Sequence, residues 1–306
     1  MKILFVSSGN SKSGISPIIK NQGVSLRNLG HDVTFYTIKG KGALGYLKNI
    51  FTLRNYLKTT NFDIIHAHYS LSAIVASLAG ANPLFVSLMG SDVKASSFSK
   101  YTIKAFNAAF WKKTIVKSED MKRACGIKNA VIIPNGVDFK KFQEYDQEEA
   151  LKKIGWNPDY IHILFVAHPG RPEKNFSLAK NAFDLLTNDR LQLQTLVDVP
   201  HEKMPYYFNA AEVVLLTSLW EGSPNVIKEA MVCNRKIVAT NVGDIKELTG
   251  STSGCFVTGF QPEEVAQAIQ KALILPSKTE GRKAIPHLDD QIIAERIAQL
   301  YQTQHV

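Results

Sequence analysis

The chain has 306 residues, of which 45% are hydrophobic, and it carries a formal net charge of +9. This length predicts two domains of about 150 residues with ordinary packed cores, and the charge favours an anionic partner, which is nucleotide phosphate, nucleic acid or an acidic membrane face. No apolar run approaches the roughly 18 residues that a transmembrane helix needs, so a cytoplasmic location is expected.

The first half of the chain alternates short apolar runs with segments of helical periodicity. Strands are predicted at residues 3–7, 32–38, 63–66, 84–88, 114–117 and 130–133. Helices are predicted at residues 15–29, 43–58 and 70–79. Apolar strands separated by helices indicate a parallel sheet covered on both faces. Residues 1–140 are therefore interpreted as one doubly wound domain.

The second half repeats this α/β pattern after a turn at 134–138 and a charged stretch at 140–153, which is the candidate linker. Strands are predicted at residues 161–166, 191–197, 213–217 and 236–240. Helices are predicted at residues 176–186, 224–233, 262–273 and 290–301. The second domain is thus expected at 141–306, with its final helix packing back on the first domain.

Polar side chains follow several predicted strands where the strands end. These segments are 8–14, His66 to His68, 90–92, Arg171 to Lys174, and Glu221. Ligands of open α/β sheets bind outside the carboxyl ends of the strands. If the two carboxyl edges face each other, a single cleft between the domains collects all of these groups.

The segment from Glu221 to Glu229 gives the sharpest local pattern. Ser223 is a good N-cap and Pro224 suits the first helical position, so a helix is predicted to begin just after Gly222. Its N-terminus favours anions, and Glu229 lies on the same face as Asn225. Two interpretations stay open: carboxylates that bind sugar and ribose hydroxyls beside a phosphate, or an ordinary capped helix with an incidental glutamate.

Arg171 and Lys174 follow the first strand of the second half. A guanidinium fork and a lysine charge suit the oxygens of a departing diphosphate. Charge alone favours the simpler interpretation, which is two solvated surface cations.

His66 and His68 alternate on a strand and therefore share a face. Contact with substrate at the strand end suits His68, whereas a core histidine with satisfied hydrogen bonds is the simpler interpretation of His66. No metal site or cofactor is expected, since the chain has neither a third ligand at useful spacing nor an Asp-x-Asp pair. The cysteines show no CxxC spacing, and the glycines of 9–14 do not form the dinucleotide fingerprint.

The stretch from Lys39 to Lys58 mixes basic with apolar and aromatic residues. It fits a helix that lies on an anionic membrane surface, although a core-packed helix with a solvated basic face is the more common explanation of such a pattern.

Taken together, these motifs resemble the family-4 type of retaining glycosyltransferases, which have the two-Rossmann GT-B architecture. The most specific element is the E-x7-E pattern from Glu221 to Glu229. The supporting elements are Arg171 with Lys174, the segment from His66 to His68, Met89 to Asp92, and 133–138. The resemblance runs nearly end to end.

The resemblance implies roles for individual residues. Glu229 would bind the nucleotide ribose, Glu221 the donor sugar, and Arg171 with Lys174 the leaving diphosphate. The remaining donor contacts would come from Gly14, Gly222, Ser223, Pro224 and Asn225, with His68 near the transferred sugar and His66 and Asp92 on the acceptor side.

The expected function is transfer of a hexose-type unit from a nucleoside-diphosphate sugar to a glycan or lipid-linked acceptor, without metal and with retention. A non-catalytic sugar-nucleotide-binding subunit is the alternative. Nucleic-acid binding is suggested only by charge, and no recognised module supports it. The donor base, the sugar and the acceptor are not determined by the sequence.

Overall fold

The computed structural model describes residues 1–10, 14–40, 42–94 and 97–303. The chain divides into two compact units. The first unit comprises Met1–Gly136 and the segment from Asp290 onward, and the second comprises Val137–Asp289. The division after Gly136 falls within the turn that the sequence places at 134–138.

The first unit is built on one parallel sheet with the strand order β2-β1-β3-β4-β5-β6. Its strands are β1 Lys2–Ser8, β2 Asp32–Ile38, β3 Ile64–His68, β4 Leu84–Ser87, β5 Lys113–Val116 and β6 Val131–Ile132. The helices of residues 1–136 are α1 Pro17–Asn28, α2 Gly42–Thr59, α3 Ser70–Leu78, α4 Ser91–Lys94, α5 Ser97–Phe110 and α6 Glu119–Cys125.

The second unit has a parallel sheet with the order β11-β10-β9-β7-β8. Its strands are β7 Ile161–Phe165, β8 Leu191–Thr195, β9 Val213–Leu216, β10 Lys236–Thr240 and β11 Cys255–Thr258. Its α-helices are α7 Gln147–Ile154, α8 Phe176–Asp184, α9 Met204–Ala210, α10 Asn225–Val232, α11 Ile245–Thr249, α12 Pro262–Leu273 and α13 Gly281–Ala284. Short 3₁₀ helices cover Pro172–Lys174, His201–Lys203 and Pro286–Leu288. The last helix of the chain, α14 Asp290–Gln302, belongs to the first unit.

Both sheets share one winding pattern. In each, the first strand lies beside the third, and the second strand lies on the other side of the first. The strand order therefore reverses between β1 and β3 in one unit and between β7 and β9 in the other. Ligand crevices of doubly wound folds form at this reversal, outside the carboxyl ends of the two strands. The predicted α/β class with two Rossmann-like sheets is confirmed.

The predicted linker at 140–153 is wrong, because its second half is the helix α7. Asp146 caps the N-terminus of α7 by accepting a hydrogen bond from the amide of Glu149, and Gly155 ends it in the left-handed conformation. The buried Ala150 and Leu151 pack against Ala210 of α9. The charges that suggested a linker lie on the other faces of this packed helix.

The first unit also differs from its prediction after β4. The sequence predicts a loop at 90–92 and then no helix or strand until residue 114. The structure has the helices α4 and α5 over much of this region and the further helix α6. In the second unit, the edge strand β11 is likewise present in the structure but not predicted from the sequence. Part of the predicted loop at 9–14, namely residues 11–13, lies outside the described residues.

The final helix α14 completes the first unit. Tyr301 is fully buried, and its hydroxyl is hydrogen-bonded to Nδ1 of His66 on β3. The tyrosine ring also packs edge-on against Phe85 of β4, with ring centroids 5.0 Å apart. A guanidinium nitrogen of Arg296 donates to the carbonyl oxygen of Ile132 at 2.9 Å. The interior of the first unit therefore depends on residues that follow the whole second unit in the chain.

The change Tyr301→Phe is expected to lower the free energy of unfolding by about 1–3 kcal/mol, because a buried imidazole nitrogen loses its partner while the ring is kept. Urea denaturation gives the measurement. Tyr101→Phe is the matched control, since Tyr101 is 74% exposed. Equal effects of the two substitutions would contradict the structural role of the Tyr301 hydroxyl.

Candidate active site

Two loops at the carboxyl edge of the second sheet are joined by hydrogen bonds to the backbone. The hydroxyl of Thr217, just after β9, donates to the carbonyl oxygen of Asn175 at 2.9 Å. The amide of Leu219 donates to the carbonyl oxygen of Glu173 at 2.9 Å. Since one loop follows β7 and the other follows β9, these bonds lie at the point where the strand order reverses.

This joining brings Lys174 and Glu221 together. Nζ of Lys174 forms an ion pair with Oε1 of Glu221, and the hydroxyl of Ser218 donates to the same oxygen at 2.7 Å. The Lys174 and Glu221 side chains are 13% and 12% exposed. The structure thus places in one cluster two residues that the sequence separates by 47 positions. A cation and a carboxylate at this edge can bind a phosphate oxygen and a sugar hydroxyl, respectively.

Arg171 does not join this ion pair. Its guanidinium contacts Oε1 of Glu173, with Nε at 2.8 Å and a terminal nitrogen at 2.6 Å. The Arg171 side chain is 56% exposed. A side chain this exposed can exchange a surface carboxylate for another anion at little cost.

The loop from Glu221 to Pro224 leads directly into α10. Pro224 occupies the N-cap position and no side chain caps the first turn, so the predicted capping role of Ser223 is wrong. Gly222 is buried. Gly243 has a φ of +63°, and a Cβ there would come within 3.0 Å of the carbonyl oxygen of Gly222. A second backbone therefore packs directly against this loop, at a distance that a Cβ at Gly243 would crowd.

Beneath this loop, α10 carries two charged side chains that point into the protein. Lys228 is fully buried, and burial lowers its pKa to about 8, opposed by the charges of Asp244 and Glu229. Burial likewise raises the pKa of Asp244, opposed first by Lys228. These partners compensate each other's loss of hydration, as buried charges require.

Glu229 lies in the second turn of α10 and is 6% exposed. Its Oε1 is 2.9 Å from Nε2 of His201, and Nδ1 of that histidine is 2.8 Å from Nζ of Lys141. Neither His201 nor Lys141 was predicted from the sequence as a site residue. They are 60 positions apart and belong to no recognisable motif, so only the folded chain brings them to Glu229.

In the first unit, His66 and His68 are buried on β3 with their rings stacked at a centroid distance of 4.3 Å. Both nitrogens of His66 are engaged, Nδ1 by Tyr301 and Nε2 by Ser87 at 2.9 Å. His66 is therefore a core histidine and not a group that reaches an acceptor. His68 also packs against Phe5, and its Nε2 is buried without a hydrogen-bond partner. A nitrogen of that kind is a polar group that a ligand hydroxyl can satisfy.

Asp92 is 1% exposed and serves the backbone of its own loop. Its carboxylate accepts hydrogen bonds from the amides of Met89 at 3.0 Å, Gly90 at 2.9 Å and Ser70 at 3.1 Å. Burial raises the pKa of Asp92, and these amides oppose the rise. Asp92 was predicted on the acceptor side, but in the structure its carboxylate binds these amides and thereby shapes the loop. Gly14 lies at the end of the first loop with a φ of +70°.

Within the described ranges, no group of three His, Cys, Asp or Glu side chains could hold a metal ion. Within the same ranges, no helix is both long and apolar enough to cross a membrane.

Two family models match the chain, one in each unit. The model described as glycosyl transferase 4-like matches residues 15–119, and that described as glycosyl transferases group 1 matches residues 150–274. The chain belongs to the group 1, family 4-like glycosyltransferases.

Individual relatives agree with this assignment. The chain is 27% identical over 237 residues to the putative teichuronic acid biosynthesis glycosyltransferase TuaC of Bacillus subtilis, a match that covers 68% of this chain and 61% of TuaC. It is 25% identical over 191 residues to the D-inositol 3-phosphate glycosyltransferase of Paenarthrobacter aurescens, covering 52% of this chain and 47% of that protein. The chain therefore spans about half to three fifths of the length of these two relatives.

Solved structures of similar fold extend over the whole chain. Sucrose-phosphate synthase from Thermosynechococcus elongatus has a TM-score of 0.83 at 19% identity and covers 99% of both chains. HepE from Anabaena, solved in complex with UDP-glucose, has a TM-score of 0.76 at 17% identity and covers 99% of this chain and 100% of its own. The GT-B fold implied by the sequence resemblance is confirmed.

The buried histidines predict a pH-dependent stability of the fold. Burial, followed by the charge of Lys117, lowers the pKa of His66 to about 3, and burial lowers the pKa of His68 well below its ordinary value. The unfolded chain binds protons on these rings below about pH 6.5, so stability falls as the pH falls. The free energy of unfolding is therefore expected to fall between about pH 6.5 and about pH 5.5. His68→Gln should reduce this fall by about 1 kcal/mol.

Chemical denaturation at the two pH values measures this difference. His287→Gln is the control, because His287 is exposed. An unchanged pH dependence in His68→Gln, with a folded variant, would contradict a neutral buried His68.

Proposed function

We propose that this protein is a retaining glycosyltransferase that moves a hexose-type unit from a nucleoside-diphosphate sugar to a glycan or lipid-linked acceptor. The observation that carries the proposal is the ion pair between Lys174 and Glu221, at the strand-order reversal and beside the start of α10. The proposal includes metal-independent transfer and a role in cell-surface polysaccharide biosynthesis at the cytoplasmic face of a membrane.

The donor would bind along the loop and the first two turns of α10. The diphosphate would take the amides of Ser223 and Asn225, with Gly222 and Pro224 allowing a close approach. The ribose hydroxyls would bind Glu229, and the sugar hydroxyls would bind Glu221. These carboxylates bracket the positive end of the helix, so one bound donor satisfies all three features.

Departure of the diphosphate would be assisted by cations. Lys174 already lies at the edge of the sheet with its charge neutralised by Glu221. A bound phosphate would replace Glu221 as the partner of that ammonium and would leave Glu221 free to bind the sugar. Binding of the donor would thus make both Lys174 and Glu221 available for catalysis. Arg171 would leave Glu173 in the same way. Fixed positive charge opposite a leaving anion is the form of electrostatic stabilisation that needs no metal.

Two of the proteins compared above support the proposed donor and acceptor classes. The HepE structure contains UDP-glucose, which supports a nucleotide-sugar donor. TuaC is named for teichuronic acid biosynthesis, which supports a glycan acceptor. His68, with its unpartnered Nε2, is the side chain of the first unit proposed to contact the transferred sugar.

Replacing Lys174 or Glu221 with alanine is expected to lower the rate of nucleotide release by roughly 100- to 1,000-fold, because each removes a charge that acts on the transition state. The donor is first selected by thermal shift from UDP, GDP, ADP and CDP sugars, and turnover is then measured with a glycan or lipid-linked acceptor panel. Arg171→Ala should reduce the rate less, since that side chain is exposed.

Lys180→Ala is the matched control, because Lys180 forms an exposed ion pair with Asp184 in the same unit. Wild-type rates for the Lys174 and Glu221 variants would refute the proposed mechanism. Tight donor binding by the wild type without turnover on any acceptor would instead favour the non-catalytic sugar-nucleotide-binding subunit.

The positive charge of the protein is concentrated in the first unit. Its residues contain 19 Lys and Arg against 7 Asp and Glu, a net charge of +12, whereas the second unit contains 17 against 20, a net charge of −3. The first unit is the proposed acceptor side. An acceptor at an anionic lipid surface would bring this unit, rather than the donor-binding one, against the lipid.

The helix α2 supplies a surface of matching chemistry. Leu44, Leu47 and Phe51 are 82%, 51% and 63% exposed and lie on one face of the helix. Lys48 and Lys58 flank them on that face and are exposed. Apolar side chains interleaved with lysines suit the interface of an anionic bilayer, and they support the proposal of peripheral membrane contact. Lys41, which precedes α2, lies outside the described residues.

Replacing both Leu47 and Phe51 with serine is expected to weaken binding to vesicles of phosphatidylcholine and phosphatidylglycerol by roughly 100-fold or more, since insertion of each apolar side chain contributes about 1.5–3 kcal/mol. Co-sedimentation measures binding, with phosphatidylcholine vesicles as the uncharged comparison. Serine at Phe260 and Ile274, which are 45% and 84% exposed in the second unit, is the control. Equal loss in both double variants, or no vesicle binding by the wild type, would refute membrane contact through α2.

A further inference from the structure

We propose that His201 is a positioning residue for the donor site: Lys141 fixes its tautomer, and the resulting Nε2–H holds the carboxylate of Glu229 in place for the ribose. This inference rests on the proposed function, because it assigns the part of the site that orients the ribose-binding group.

The contacts form a chain of three side chains within the second unit. Nζ of Lys141 lies 2.8 Å from Nδ1 of His201, and Nε2 of the same ring lies 2.9 Å from Oε1 of Glu229. The ring of Phe142 packs edge-on against the imidazole with centroids 5.4 Å apart. The imidazole is therefore fixed at both nitrogens and supported by an aromatic ring.

The chemistry of these groups determines the direction of each hydrogen bond. A lysine ammonium has three donors and no acceptor, so Nδ1 of His201 must accept. A neutral imidazole that accepts at Nδ1 carries its proton at Nε2, and Nε2 must therefore donate to Glu229. A second proton cannot bind at Nδ1 while Lys141 donates there. The histidine is thus held in one tautomer with one direction of donation.

Charges around Lys141 support its role as the donor. Burial lowers the pKa of Lys141, and the carboxylates of Glu202, Glu229 and Asp138 oppose that change. Its side chain is thus a cation that faces several acidic groups. His201 connects this cation to Glu229 without direct contact between Lys141 and the carboxylate.

Glu229 needs such a partner because it is 6% exposed. A buried carboxylate that is only partly hydrogen-bonded is costly, and it can rotate between alternative contacts. Donation from His201 to Oε1 fixes the plane of the carboxylate. The ribose hydroxyls would then meet an acceptor of defined direction, which reduces the ordering cost of binding.

The tautomer can be measured directly. In the histidine side-chain ¹⁵N spectrum, His201, assigned by loss of its signals in His201→Gln, is expected to show a protonated Nε2 and an accepting Nδ1. Lys141→Met should shift the Nδ1 signal and allow the other tautomer to appear. A protonated Nδ1 in the wild type would overturn the proposal.

The action through Glu229 is tested by binding of ribonucleotides and their deoxy analogues. UDP, GDP, ADP and CDP are titrated by calorimetry, and the tightest is compared with its 2′,3′-dideoxy form. His201→Leu should weaken the ribonucleotide by roughly tenfold, the loss expected for one hydrogen bond to a charged group, and leave the dideoxy form unchanged. His201→Gln keeps a donor near the Nε2 position and should restore most of the ribonucleotide affinity.

Equal weakening of both nucleotides by His201→Leu, in a variant with wild-type thermal stability, would show a merely structural role and overturn the inference. Failure of all four nucleotides to bind the wild type would overturn the donor site itself, and this inference with it. The two failures are distinguishable because only the second involves the wild-type protein.

Discussion

Lys174 and Glu221 meet because hydrogen bonds to backbone carbonyl oxygens tie two loops together at one sheet edge. The hydrogen bonds from Thr217 and Leu219 hold the loop after β9 against the loop after β7. The ion pair forms because these bonds bring the two side chains to the same place. Neither Lys174 nor Glu221 uses its side chain for this connection, so both charged groups can serve a ligand. The loop after β9 leads directly into α10 and therefore also positions Glu229 in the second turn of that helix.

Much of the fold could be predicted from the sequence because both parallel sheets are apolar along their strands. The bounds of β2, β10 and α12 match their predictions, since turn residues or proline mark their ends. The segment at 140–153 was misinterpreted because helix α7 buries only its Ala150 and Leu151 face. Its many charges resemble a linker when the packing against α9 is not known.

The candidate site was predictable where chemistry lies within one motif and not where it is assembled by folding. Lys174 and Glu221 stood out through their strand-end positions, and the structure pairs them. His201 carries no such signal, because its meaning depends on a lysine 60 positions earlier. Asp92 was chosen for its place at a strand end, but its carboxylate is used by neighbouring amides, which local sequence does not reveal.

The burial of Tyr301 against His66 has a consequence for the order in which the molecule forms during synthesis. A ribosome delivers the strands of the first sheet early, but the hydroxyl that satisfies Nδ1 of His66 emerges only after the entire second unit. Until then the nascent first unit has an uncovered surface over β3 and β4. The second unit, continuous in sequence, can complete its fold first, so the part made first is the part finished last.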